Sequence, residues 1–81
     1  MNEHNDINRK IGIRLAALMA SRNVQRAAII NALGITNLHL RKIENGIKPM
    51  MASEMVLAAK ALGITSSVLT GEEPFKAGEA P

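Results

Sequence analysis

Apolar residues recur at helical spacing along most of this chain, in short segments that end at glycine or asparagine. The first segment shows spacings of four, four and three, in Ile7, Ile11, Leu15 and Leu18. Such spacing places the apolar side chains on one face of an α-helix. Glycine ends helices because it adopts the left-handed backbone conformation without a steric penalty. The pattern therefore predicts several short helices that bury their apolar faces against one another.

Capping residues divide the chain into five predicted helices. Asn23 suits the first turn because Asn tolerates the left-handed conformation, and Thr36 can cap a helix by accepting a hydrogen bond from a free backbone N–H. Gly34, Gly63 and Gly71 are predicted stops, and Asn45-Gly46 ends the third helix. The predicted helices cover residues 7–21, 25–33, 37–44, 52–62 and 66–70.

Length and composition favour one small all-α domain. A chain of 81 residues has too little length for two cores, and without cysteine it forms no disulfide or thiolate metal site. Phe75 is the single aromatic residue, so the core must be aliphatic. We predict a disordered arm at 1–6, the helical domain at 7–73 and a flexible tail at 74–81. No apolar run is long enough to span a membrane, and a cytoplasmic protein is expected.

Positive charge is concentrated in one half of the sequence. Residues 9–48 hold eight basic residues and one acid, a net charge of +7, whereas the remaining segments sum to −4. The basic residues are Arg9, Lys10, Arg14, Arg22, Arg26, Arg41, Lys42 and Lys48. Such asymmetry favours a polyanionic partner.

The predicted third helix has a donor-rich face. At 100° per residue Leu40 and Ile43 face one way, and the opposite face carries Leu38, Arg41, Lys42 and Asn45. Arg and Lys can donate to guanine, Asn37 or Asn45 could pair with adenine, and Leu38 could pack on a thymine methyl group. Two short helices joined by a three-residue turn with glycine form a helix-turn-helix unit, whose second helix can enter the major groove. A solvated basic face is the alternative.

These residues resemble a known family, the lambda-repressor-like, Cro-type helix-turn-helix regulators. The resemblance covers about residues 11–71, and its most specific part is the run Ile43-Glu44-Asn45-Gly46 followed by Ala61-Leu62-Gly63. Further matches are Ile11-Gly12, Arg14-Leu15, Ile29, Leu33-Gly34-Ile35-Thr36, Leu40, Ala59-Lys60, Ile64 and Leu69. The resemblance implies a five-helix DNA-binding domain in which the second and third helices form the helix-turn-helix.

The resemblance also assigns roles to individual residues. It implies that the surface that reads bases comprises Thr36, Asn37, Leu38, Arg41 and Lys42. It implies phosphate contacts by Arg26, which stands where the family usually has Gln, and contacts near the DNA backbone by Asn45 and Lys48. In relatives an Arg at the position of Met19 pairs with the acid that matches Glu44. Here Glu44 is expected to pair with Arg22 or to stay solvated.

The sequence offers little support for an enzyme. Its histidines, His4 and His39, lie in separate segments, and Asp6 is the single Asp, so neither a catalytic group nor a metal site is expected. No cofactor and no small-molecule ligand are expected. A protein-interaction module, antitoxin-like or adaptor, with incidental DNA affinity is the alternative function. The outward apolar residues Ile13, Val56 and Leu57 keep that alternative open.

Apolar residues outside the predicted core favour a homodimer. The predicted interface comprises Val56, Leu57, Ile64 and Val68, because a self-complementary apolar patch is typical of two-fold dimers. A dimer would place two reading helices one turn of DNA apart, on an inverted repeat. We therefore expect a double-stranded DNA-binding transcriptional regulator of the phage, plasmid or mobile-element type, a repressor that occludes a promoter.

Overall fold

Five α-helices make up the part of the chain that the structure describes. The structure is a computed structural model and describes residues 3–72, with the side chain of Asn5 excepted. The helices are α1 Glu3–Ser21, α2 Arg26–Leu33, α3 Asn37–Glu44, α4 Ala52–Leu62 and α5 Ser66–Thr70. No strand occurs between residues 3 and 72, so the all-α prediction is confirmed for this part of the chain.

The helix ends follow the capping residues. The predicted bounds of α3, α4 and α5 are confirmed, and α2 begins one residue late because Gln25 is its extended N-cap (φ −73°, ψ 150°). α1 begins at Glu3, four residues before the predicted start. Glu3 and Asp6 lie in its first turn, where acidic side chains stabilise a helix by interacting with the positive end of its dipole. The predicted arm at 3–6 is therefore helical. Residues 1–2 and the predicted tail at 74–81 lie outside the described residues.

Turn geometry explains how α2 and α3 come together. Asn23 adopts a positive φ of 55° after α1, and Gly34 adopts 68° after α2, as the sequence predicts. The Thr36 hydroxyl accepts a hydrogen bond from the His39 N–H at 3.1 Å and so caps α3. The turn between α2 and α3 is thus the three residues Gly34-Ile35-Thr36.

The core is aliphatic, and all five helices contribute side chains to it. α1 packs against α3 and α5, α4 against α2 and α5. The largest fully buried side chains are Leu15, Ile29, Leu40, Ile43 and Leu69. Each comes from the apolar face of its helix, so burial of that face stabilises the fold by roughly 1.5–3 kcal/mol per large side chain.

Two predictions of burial are wrong. Ile7, predicted to lie on the core face, is 47% exposed, because α1 extends at this end beyond the helices that cover its later turns. Val68, predicted to lie at a dimer interface, is 7% exposed and belongs to the core cluster. α5 begins directly after the turn that ends α4, and this places both Val68 and Leu69 inside.

Gly12 allows the backbones of α1 and α3 to approach each other. A Cβ added at Gly12 would collide with the carbonyl oxygen of Ile43 and lie 2.8 Å from that of Glu44. Both oxygens belong to the last turn of α3, so the side chain of any other residue would push α3 outward. Gly12 therefore fixes where the C-terminal end of α3 lies.

No helix between residues 3 and 72 combines the length and apolar content that crossing a bilayer requires.

Candidate nucleic-acid interface

The outer face of α3 is exposed over its whole length. The five residues predicted to read bases, Thr36, Asn37, Leu38, Arg41 and Lys42, are all exposed. On the opposite face Leu40 and Ile43 are 0% and 1% exposed, so the core holds α3 firmly. Leu38, the apolar member of this set, is 62% exposed. The structure therefore brings the predicted reading residues together on one accessible surface.

Arg26 connects the two ends of α3. Its Nη1 donates to both carboxylate oxygens of Glu44, at 2.7 and 2.9 Å. Its Nε and Nη2 donate to Oδ1 of Asn37, at 3.2 and 2.9 Å. Asn37 is the first residue of α3 and Glu44 is the last, so one guanidinium on the first turn of α2 fixes both. We call these three residues the Arg26 clamp.

The partner of Glu44 differs from the one expected from the sequence. Arg22 was one expected partner and solvent the other, but Arg26 forms the ion pair. Arg22 instead donates from Nε to the carbonyl oxygen of Leu62. That oxygen lies at the C-terminal end of α4, where a cation interacts favourably with the helix dipole. Arg22 thus binds the C-terminal end of α4, whereas Arg26 binds α3.

The segment after α3 folds back on the helix and carries one cation, Lys48. The backbone N–H groups of Ile47 and Lys48 donate to the carbonyl oxygen of Lys42, at 2.9 and 3.2 Å. Asn45 and Lys48, the other residues predicted to contact the DNA backbone, are exposed. Gly46 has a φ of 73°, and a Cβ there would lie 2.8 Å from the Cα of Arg9.

Arg9 therefore extends this basic surface, although the sequence did not assign it a role. It lies on α1, is exposed, and its backbone contacts the loop that carries Lys48. Its charge belongs to the basic segment of residues 9–48. Its contact with Gly46 could not be predicted from the sequence, because 37 positions separate the two residues. The surface formed by α3, Arg9 and residues 45–48 is called the basic face below.

His39 on α3 lies close to Glu54 at the start of α4. The Glu54 carboxylate accepts a hydrogen bond from the Met51 N–H at 2.8 Å, as an acid at the third helical position often does. Its other oxygen lies 3.7 Å from Nε2 of His39. That distance is too long for a hydrogen bond, and Nε2 of His39 has no hydrogen-bond partner among the described residues. Glu54 is only 8% exposed and His39 is half-buried, so neither side chain belongs to the exposed outer face of α3.

The predicted dimer residues differ in accessibility. Val56 is 57% exposed and Leu57 is 40% exposed, so both can meet a partner. Ile64 is half-buried and packs against the core, and Val68 lies within it. The exposed large apolar side chains of α4 are therefore those of Val56 and Leu57.

The described residues form no cluster that would bind a metal ion. Between residues 3 and 72 no three side chains of His, Cys, Asp or Glu come together. The acidic residues that do lie near the core, Glu44 and Glu54, are engaged with Arg26 and with the backbone of α4.

Comparison of the sequence with models of protein families gives no match. A search of curated proteins also finds no similar sequence.

Proposed function

We propose that this chain is a sequence-specific double-stranded DNA-binding regulator in which α2 and α3 act as a lambda-repressor-like helix-turn-helix. The observation that carries the proposal is the outer face of α3. Exposed donor side chains and the apolar Leu38 lie on this face, while the other face of α3 is buried in the core. An α-helix held in this way fits the major groove, whose base edges present the acceptors that such donors require.

The exposed residues of α3 have suitable chemistry for reading bases. Arg41 can donate in a bidentate manner to O6 and N7 of guanine, and Lys42 can reach the same atoms. Leu38 can cover the methyl group of thymine. Thr36 and Asn37 lie at the N-terminal end of α3, which is the end that contacts base edges in helix-turn-helix proteins.

Phosphate contacts come from the edges of the basic face and from Arg26 on α2. Lys48 and Asn45 follow α3 directly, and Arg9 lies beside them on α1. Arg26 is 40% exposed at its side chain, and Nη2 makes a single hydrogen bond within the protein. The other hydrogen of Nη2 can therefore reach a phosphate. Such contacts supply affinity without sequence information.

A homodimer through α4 completes the proposal. Val56 and Leu57 are the exposed large apolar residues of this helix, and a two-fold contact would repeat them across the axis. One short helix reads only a few base pairs, and pairing two of them gives the specificity that a genome requires. Binding over a promoter would exclude the polymerase, so repression is the proposed outcome.

Selection of bound duplexes from a random library tests the proposal. We expect enrichment of an inverted repeat with half-site centres about 10 base pairs apart or a multiple of it. The enriched duplex should bind at least about 1,000-fold more tightly than random duplex at physiological salt. Failure to enrich any sequence, with equal binding to all duplexes, would reject a sequence-specific regulator.

A protein-interaction module is the second candidate function, and one observation favours it. Ile13 is 59% exposed on the outer side of α1, where it lines an open groove of about 350 Å³ with Lys10, Arg14 and Ala17. Apolar surface of this kind can receive another protein. Under this alternative Ile13→Glu would abolish capture of the partner, whereas α3 variants would not.

A further inference from the structure

The Arg26 clamp determines which hydrogen-bonding groups Asn37 can offer to a ligand. Oδ1 of Asn37 accepts from Nε and from Nη2 of Arg26, which uses both lone pairs of an amide oxygen. A guanidinium carries only donors, so it must face the oxygen of the amide and not its nitrogen. The exposed part of Asn37 is then its NH₂ group, which can only donate.

An asparagine in this state cannot recognise adenine in the usual way. Bidentate pairing with adenine requires Oδ1 to accept from N6 while Nδ2 donates to N7. Because Arg26 already occupies Oδ1, the amino group of adenine would meet an oxygen without a free lone pair. Guanine presents acceptors at both O6 and N7, and thymine presents one at O4, whereas the N7 acceptor of adenine lies beside the N6 amino group, which would meet the occupied Oδ1.

Glu44 keeps the clamp in this arrangement. Its carboxylate holds Nη1 of Arg26 in a bidentate ion pair while its side chain is 17% exposed. Two anchored ends of the guanidinium fork leave it little freedom to turn away from Asn37. The side chain of Asn37 is therefore oriented before any ligand arrives.

We infer that Arg26 is a positioning residue that makes Asn37 a donor-only reader, selective for guanine or thymine and against adenine. The inference rests on the proposed DNA-binding function, and it replaces the expectation that Asn37 pairs with adenine. Arg26 contributes to specificity through Asn37, separately from any phosphate contact of its own. Loss of a phosphate contact weakens all duplexes alike, whereas release of Oδ1 changes the preferred base.

The test compares base preferences from random-duplex selection for the wild type, Asn37→Ala, Arg26→Lys and Arg26→Met. Asn37→Ala identifies the base pair that depends on Asn37. At that pair the wild type should prefer guanine or thymine over adenine by about tenfold. Arg26→Met frees Oδ1, and Arg26→Lys retains the charge opposite Glu44 without the planar fork. Both Arg26 substitutions should shift the base preference at that pair towards adenine by about tenfold.

Two results would overturn the inference while leaving DNA binding intact. One is a wild-type preference for adenine at the pair that depends on Asn37. The other is a base preference that neither Arg26 substitution changes. If the wild type enriches no sequence at all, the proposed function fails together with this inference.

A measurement without DNA tests the clamp itself. Nitrogen-15 relaxation of the Asn37 side-chain amide should show a rigid group in the wild type and a mobile one in Arg26→Met. A group that is equally mobile in both proteins would overturn the clamp whatever the DNA experiments show. Thermal unfolding of each variant confirms that it is folded under the conditions of the measurement.

Discussion

Replacement of Gly12 by alanine tests how the core positions α3. Alanine in the interior of a helix is more favourable than glycine by about 1 kcal/mol, so helix propensity alone predicts a more stable protein. The structure predicts the opposite. The new methyl group would collide with the carbonyl oxygen of Ile43 and lie 2.8 Å from that of Glu44, and neither backbone atom can rotate away.

The size of the effect follows from these opposed contributions. Overpacking a close contact costs roughly 1–3 kcal/mol of folding free energy. The upper end of this range applies because α1 and α3 must separate as whole helices. Subtraction of the gain in propensity leaves a net loss of about 2 kcal/mol. For a domain of this size the melting temperature should fall by about 10 °C.

Urea unfolding followed by circular dichroism measures the loss. Ala16→Gly is the matched control, because Ala16 is exposed on the same helix and should lose only the propensity difference of about 1 kcal/mol. A Gly12→Ala protein as stable as the wild type, or more stable, would refute the close approach of α1 and α3.

Three further predictions concern charge, association and the clamp. If a dimer neutralises about 6 phosphates, log K should fall with log salt concentration at a slope of about −5; a slope near zero would contradict the electrostatic role of the basic face. Leu57→Glu should convert a dimer into a monomer in sedimentation equilibrium while Ile13→Glu leaves it intact, and a monomeric wild type at tens of micromolar would exclude this interface. Glu44→Gln should lower the free energy of unfolding by about 1 kcal/mol, since it removes the charge opposite Arg26; unchanged stability would mean that the ion pair contributes nothing.

Local chemistry explains which parts of the fold could be predicted from the sequence. Thr36 and Gly34 each act within a few residues of their position, so the bounds of α3 and the end of α2 could be predicted from the chain alone. Leu40 and Ile43 occupy one face of a short helix, and their burial follows from that spacing. The start of α1 was missed because Glu3 and Asp6 favour a helix through the dipole, a weaker signal than apolar periodicity.

Contacts between distant residues could not be predicted in this way. Arg26 and Glu44 are 18 positions apart, and nothing in their local sequence distinguishes Arg26 from Arg22 as the partner of the acid. The geometry that decides between them arises only after α2 and α3 pack. Val68 shows the same limit, since the pattern of a five-residue helix does not distinguish a buried apolar residue from one at an interface.

The central claim, that α3 reads DNA sequence, is tested most directly by Lys42→Ala on two duplexes, one enriched by selection and one random. The binding constants should be measured at physiological salt, with Lys60→Ala on α4 as the charge-matched control. The account predicts a loss of about 1–3 kcal/mol for Lys42→Ala on the enriched duplex and much less on the random one, with Lys60→Ala close to the wild type on both. Equal losses on both duplexes, or the same loss from Lys60→Ala, would contradict it.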